Sequence, residues 1–299
     1  MEIDFPFSIS QFAFFQRDEL EAAKLEDYFE TNKPVCHYCI LCKQRITINP
    51  NFANFDENEI ELEFFIQNKS DLLHERIKIK HAYTGLKSVQ IVSEFPYRQF
   101  KLIDENEDAL IDISKATYVL ERPEFYQQVI NKDYLDYEIL YIGKSFPSND
   151  NLPALSRIAS HSTYQEILEH YNLAHPDKEI FLLLFSFKQD ILVDMPEELS
   201  REDAKKLAKY FETLYMIPKS KSYNESILLF EVALINYFKP IYNCHFNKNA
   251  PAKSHRSFKN TSEMSVKNIS ILFGLDNFYP RLYTSKNERN GEYYIHFKW

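Results

Sequence analysis

Glu231 stands in the middle of an apolar helical face. The run from Tyr223 to Phe238 places Ile227, Leu228, Leu234, Ile235 and Phe238 at helical spacing, and the carboxylate falls among them. Left ionised and unpaired it would cost several kcal/mol, so it calls for an arginine, a metal ion or a raised pKa; a buried structural salt bridge is the plain alternative. Upstream, Arg157 and His161 are four residues apart, a spacing that on one helix aims both at a single oxyanion or leaving group, or else forms an ordinary solvated face. Asn243 follows the Lys239-Pro240 break, where a short strand would return it beside Glu231. Gly143, one of only four glycines, ends the apolar run Tyr141-Ile142-Gly143 and so points to a special backbone geometry or a close approach. Lys144 follows it directly.

The elements that must position these residues fall into two blocks. Glu19 to Phe29 has a helical pattern. After Lys33-Pro34, alternating apolar and polar residues predict strands at 45–48, 59–66, 76–80 and 88–93, giving a mainly β N-terminal domain over residues 1–109. The acidic stretch 104–108 is the expected boundary. Over residues 110–250 the expected order is a strand at 116–121, a long loop, a strand at 138–143, a helix from Pro153 to about His170, a strand at 179–187, and helices starting at Ser200 and Ser222. Ser222-Tyr-Asn-Glu225 fits a capping box, and Lys239-Pro240 ends the last helix. Residues 251–299 form a basic C-terminal extension.

Composition narrows the function classes. The longest strongly apolar run, Ile180 to Phe187, is too short to span a bilayer, and the start lacks the features of a secretory leader, so a cytoplasmic protein without a membrane partner is expected. A net charge of -9 is unusual for a nucleic-acid-binding chain, but its distribution is uneven: residues 251–299 carry 8 Lys and Arg against 4 Asp and Glu. Within Asn247 to Asn260, Lys248, Lys253, Arg256 and Lys259 occur with no acidic residue, as a solvated loop or as a phosphate-binding segment. Gly143-Lys144-Ser145 is not a P-loop, because the glycine required five positions before Gly143 is Glu138. Cys36, Cys39 and Cys42 have a zinc-like spacing, but on a strand Cys39 points away from the other two. The 20 Tyr and 25 Phe are mostly assigned to the core.

Tyr141-Ile142-Gly143-Lys144-Ser145, then Arg157-x-x-x-His161, then Glu231 followed by Lys239-Pro240-Ile241-Tyr242-Asn243, occur in an order that resembles the GIY-YIG nuclease family, most closely its restriction-endonuclease branch. The resemblance covers roughly residues 115–246. It implies an α+β fold, a small antiparallel sheet flanked by helices, joined here to the mainly β N-terminal domain as a recognition or regulatory unit. It implies a metal-dependent endonuclease in restriction or defence, acting on DNA, with RNA and a homodimer left open; the alternative is a catalytically weak nucleic-acid-binding or regulatory protein. Glu231 would hold Mg²⁺ or Mn²⁺, Arg157 would neutralise the phosphate, and His161 would orient or protonate. Asn243 would hold the glutamate or a phosphate oxygen. The first triplet of the family has its nearest counterpart at Ala116-Thr117-Tyr118, so Tyr118, or else Tyr141, would relay a proton if a cation such as Lys144 lowers its pKa.

Overall fold

The computed structural model describes residues 4–20, 29, 35–144, 158, 161–189, 201, 202, 204, 205, 208, 222–243 and 268–298. In chain order its strands are β1 (Asp4–Phe15), β2 (His37–Gln44), β3 (Ile46–Phe55), β4 (Glu59–Asn68), β5 (Asp71–Lys80), β6 (Gln90–Val92) and β7 (Gln99–Ile103). They continue with β8 (Ala109–Lys115), β9 (Tyr137–Lys144), β10 (Lys178–Gln189), β11 (Asn268–Gly274), β12 (Leu282–Thr284), β13 (Asn287–Asn290) and β14 (Glu292–Lys298). The helices are α1 (Ala116–Val119), α2 (Pro123–Tyr126), α3 (Ser162–Glu166, a π-helical turn Ile167–Tyr171, then Asn172–Ala174) and α4 (Ser222–Phe238).

Eight strands form one mixed, nearly closed sheet in the order β13-β12-β9-β2-β10-β1-β11-β14. Its inner face carries Cys39 and Leu41 of β2, Phe181, Leu183 and Phe185 of β10, and Ile271 and Phe273 of β11. Against this face lies α4, whose Phe230, Val232, Ala233, Leu234, Ile235 and Phe238 are all buried. A helix that is apolar nearly all round must be enclosed, and the curved sheet encloses it. Phe230 stacks on Phe187 at 4.8 Å and meets Phe7 edge-on at 6.1 Å. The outer face of β2 and β10 (Tyr38, Ile40, Cys42, Leu182, Leu184) is covered by Ile158 and by Tyr164, Ile167 and Tyr171 of α3. β2 is therefore buried on both faces, which explains why His37-Tyr-Cys-Ile-Leu-Cys reads as a run without simple alternation.

The expected small sheet flanked by helices is thus replaced by a mostly β architecture. Two local effects produce the difference. In β1 the register shifts between Ile9 and Gln11, so the inward apolar positions change parity along the strand. The C-terminal segment is not an appendage: β11 pairs in parallel with β1, and β14 pairs with β11. Residues 1–109, 110–250 and 251–299 all contribute strands to the one sheet. Ala116 to Glu121 is not a strand; Ala116, Val119 and Leu120 recur at helical spacing and are buried in a second core, so the chain turns as α1. The acidic stretch Asp104 to Asp108 is the β7–β8 hairpin turn, with the Asp108 carbonyl accepting from the Asp104 N–H at 3.0 Å.

Residues 45–136 form an insertion between β2 and β9, strands that pair directly with each other. The insertion has two three-stranded antiparallel sheets, β3-β4-β5 and β6-β7-β8, packed with α1 and α2 around Ile48, Leu62, Phe64, Phe100 and Leu102. Among the described residues, no helix is long and apolar enough to cross a membrane.

Polar contacts tie the insertion and the C-terminal hairpin to the sheet. The Lys43 side chain is fully buried, forms an ion pair with Glu121, and lies 4.9 Å from the Tyr137 ring centroid. Tyr137 also donates to Glu121, at 2.6 Å. The buried Asp136 accepts from Arg281 Nη2 at 2.7 Å and from Arg289 Nη1 at 2.9 Å. Removing one partner of a buried pair leaves the other charge without compensation. Lys43→Met should therefore lower unfolding free energy by about 3–5 kcal/mol in urea denaturation. The Lys43→Met/Glu121→Gln double variant should recover a substantial part of that loss, since the stranded carboxylate is gone.

Candidate active site

β2 and β9 run antiparallel with Tyr38 opposite Gly143 and His37 opposite Lys144. The register shifts next to Ile40, and both Leu140 and Tyr141 pack toward the outer face. There the Tyr38 and Tyr141 rings lie 5.9 Å apart, tilted by 39°. A Cβ on Gly143 would come within 2.6 Å of Tyr38 Cζ and 2.8 Å of Tyr141 Cε1. Glycine is therefore required by the phenols above its backbone, the close approach that its rarity suggests.

His161 completes a group of three rings, 6.3 Å from Tyr38 and 6.1 Å from Tyr141. It is exposed and extended (φ -67°, ψ 131°), capping α3 rather than lying within it. The expected continuous helix joining positions 157 and 161 as one face is therefore interrupted at His161. Burial raises the pKa of Tyr38, with Tyr141 and Glu231 acting in the same direction. Burial also raises that of Tyr141, again with Glu231, against a smaller lowering from the neighbouring Tyr38. The expected cationic lowering of a phenol is not found. Both tyrosines are neutral hydroxyl donors at physiological pH.

Glu231, buried on α4, pairs with the Lys144 ammonium. Burial raises its pKa, and Lys144 opposes that rise. The carboxylate thus takes its cation from the strand end, a lysine in place of the expected arginine. His37 lies on the same inner side, fully buried among Phe185, Phe187 and Phe230. Its Nε2 donates to the Ile227 carbonyl oxygen at 2.9 Å, one turn before Glu231 in α4. The Nδ1 atom has no hydrogen-bond partner among the described residues. Burial lowers the His37 pKa to about 3; the Ile227 bond opposes the change and Lys144 adds to it. The ring is neutral.

Asn243 has a different role from the one expected. Its Oδ1 accepts from the Ile142 N–H and its Nδ2 donates to the Ile142 carbonyl, both at 2.9 Å, so the amide is spent on the β9 backbone. Tyr118 lies on α1, and its hydroxyl donates to Glu19 at 2.8 Å. Its neighbours include Phe181 and Tyr137, the first residue of β9, whereas Lys144 is the last, about 23 Å further along the strand. The tyrosine beside Tyr141 is Tyr38. Arg157, Lys248, Lys253, Arg256 and Lys259 lie outside the described residues. Cys39 packs on the inner face and Cys42 on the outer one.

The donor set does not make a protein cage for Mg²⁺ or Mn²⁺. Glu231 brings one carboxylate already held by an ammonium, and no three His, Cys, Asp or Glu side chains among the described residues group around a common point. A cation there would have to displace Lys144 and draw its remaining ligands from substrate and water.

Sequence inspection missed Tyr38 because the insertion puts about a hundred positions between it and Tyr141, and only strand pairing brings them together. A residue pattern that could have flagged it is the tyrosine within the doubly buried run 37–42. No family model, curated protein or solved structure matches the chain.

Two measurements check this geometry. Asn243→Ala should lower stability by about 2–3 kcal/mol, since it strips a buried N–H and a buried C=O of their side-chain partner. For His37, the folded-state pKa is below the ordinary 6.5, so the folded protein binds fewer protons and stability falls as pH drops from about 6.5 toward 3. The wild type should lose up to about 1.4 kcal/mol per pH unit in this window relative to His37→Phe, as read from urea midpoints.

Proposed function

We propose that the chain is an endonuclease that hydrolyses phosphodiester bonds of DNA, with Tyr141, His161 and Tyr38 at the scissile phosphate. One observation carries the reading: three proton-bearing rings converge on the outer face where β2 begins and β9 ends, and the last residue of β9, Lys144, pairs with Glu231 on the inner side. The motif order noted in the sequence supports it independently, and its restriction-endonuclease branch suggests restriction or defence as the setting.

In this reading a water attacks the phosphorus and passes its proton to the exposed His161 imidazole. The neutral Tyr141 hydroxyl donates to the departing oxygen, and Tyr38 orients that hydroxyl. Lys144 offsets the charge that builds on the phosphate, and Glu231 holds Lys144 in place. Arg157 is assigned to the same phosphate from the sequence resemblance alone. No step is routed through a metal ion; a divalent cation that entered with the substrate would supply further charge neutralisation. A second reading, a nucleic-acid-binding or regulatory protein with little catalysis, draws on the same ion pair, because a neutralised Glu231 is a poor cation ligand.

Supercoiled plasmid, incubated with Mg²⁺ or with EDTA, distinguishes them. Nicking or linearisation is expected from the wild type. Tyr141→Phe should reduce turnover about 10²–10⁴-fold while DNA affinity holds. Glu231→Gln should also abolish cleavage, because Lys144 loses its anchor. Full cleavage by Tyr141→Phe would remove the assignment, and absence of cleavage by the wild type under both conditions would favour the second reading.

A further inference from the structure

Two cavities of about 450 and 550 Å³ adjoin at the junction of the insertion and the large sheet, sharing Gln16, Asp18 and Arg98 in their walls. Their linings hold six basic side chains (Arg17, Arg45, Arg98, Lys101, Lys115 and Lys178) against three acidic ones. In a chain of net charge -9 this is a local reversal of sign. Part of the positive charge is compensated internally: Glu179 pairs with Arg98 at 2.7 Å, Asp18 with Lys115 at 2.9 Å and Glu138 with Lys178 at 2.8 Å. Arg17 is exposed, Lys101 is half-buried on β7, and the Arg98 side chain stays 43% exposed while its Nε lies against Glu179. A guanidinium carries further N–H donors suited to phosphate oxygens.

At the rim stands Phe95, 84% exposed, in the turn between β6 and β7. That turn is anchored. The Tyr97 N–H donates to the Glu94 carbonyl at 2.7 Å, the Ile48 N–H to the Tyr97 carbonyl at 2.9 Å, and the Ala116 N–H to the Arg98 carbonyl at 2.9 Å. A large apolar ring held out on a fixed turn beside a basic wall matches a chemistry of alternating flat faces and phosphates. An acidic peptide would satisfy the charge and leave the ring without a planar partner.

We propose that this cleft binds a single strand of nucleic acid, with Arg17, Arg98 and Lys101 on the phosphates and Phe95 stacked on a base. The proposal rests on the nucleic-acid reading of the site above and extends its substrate class to unpaired strand. Ile180, in the wall of the cleft, precedes Leu184, the strand partner of Tyr38, by four residues, or about 13 Å.

The test is fluorescence anisotropy of a labelled 20-nucleotide single strand, and of the duplex of the same sequence, with the full chain in EDTA across a salt series. Phe95→Ala should weaken single-strand binding roughly 5- to 150-fold and duplex binding much less. The Arg17→Ala/Lys101→Ala variant should flatten the log–log salt slope for single strand by about 1.4. Thermal melts matching the wild type establish that both variants are folded, as expected for side chains outside the cores. Unchanged affinity in Phe95→Ala together with an unchanged slope in the double variant overturns the proposal, as does an equal loss for duplex and single strand. Binding that depends on Phe95 in a protein that never cuts plasmid would uphold the cleft and sink the nuclease reading, so the two failures are distinguishable.

Discussion

A carboxylate in the apolar part of an enclosed helix sets the terms for this end of the molecule. α4 can be buried only if the sheet encloses it, and Glu231 can be buried with it only if a cation is delivered to the same depth. Lys144 meets that demand because it is the last residue of β9, where the strand leaves the sheet and its side chain can reach both the helix and water. Helix position, strand end and charge balance are therefore one problem with one solution. The neutral His37, donating to the α4 backbone one turn earlier, fixes the helix against β2 without adding a second charge.

The same strand ends carry the chemistry on the opposite face. A strand alternates its side chains, so His37 and Lys144 look inward while Tyr38 looks outward. Gly143 makes this compatible with packing by leaving space for two phenols directly over the backbone. Asn243 then grips Ile142 from the chain that has just left α4, tying the strand to the helix that bears Glu231. The result is a small polar site whose members are each held by a rigid element, while His161 at the start of α3 stands on the solvent side.

The insertion shows how a fold can carry a second body without disturbing the first. β2 and β9 pair along almost their whole length although residues 45–136 separate them in sequence. Beside the Tyr118–Phe181 ring contact, the joint is sealed by ion pairs: Lys43 with Glu121, Arg98 with Glu179, and Lys115 with Asp18. Such contacts prescribe an orientation, because each charge is costly in any other arrangement. They also leave a charged cleft where the two bodies meet.

Periodicity alone was enough for the elements that a local pattern can specify. β4, β5, β9 and β10 lie close to where alternation places them, and α4 ends at Lys239-Pro240 because proline cannot continue the helix. The unusual status of Glu231 and Gly143 was also legible, since a charge in an apolar stripe and a glycine in a glycine-poor chain each conflict with their surroundings. Tertiary structure decided what depends on distant partners. It made Ala116 to Val119 a helix by giving it an apolar surface to face, turned the basic C-terminal segment into sheet strands by pairing β11 with β1, and put Tyr38 rather than Tyr118 beside Tyr141. It also gave Glu231 a lysine, spent Asn243 on the backbone, and raised the phenol pKa values that a nearby cation was expected to lower. The physical reason is common to all of these: burial and charge compensation are set by what lies across the sheet, and no spacing along the chain records that distance.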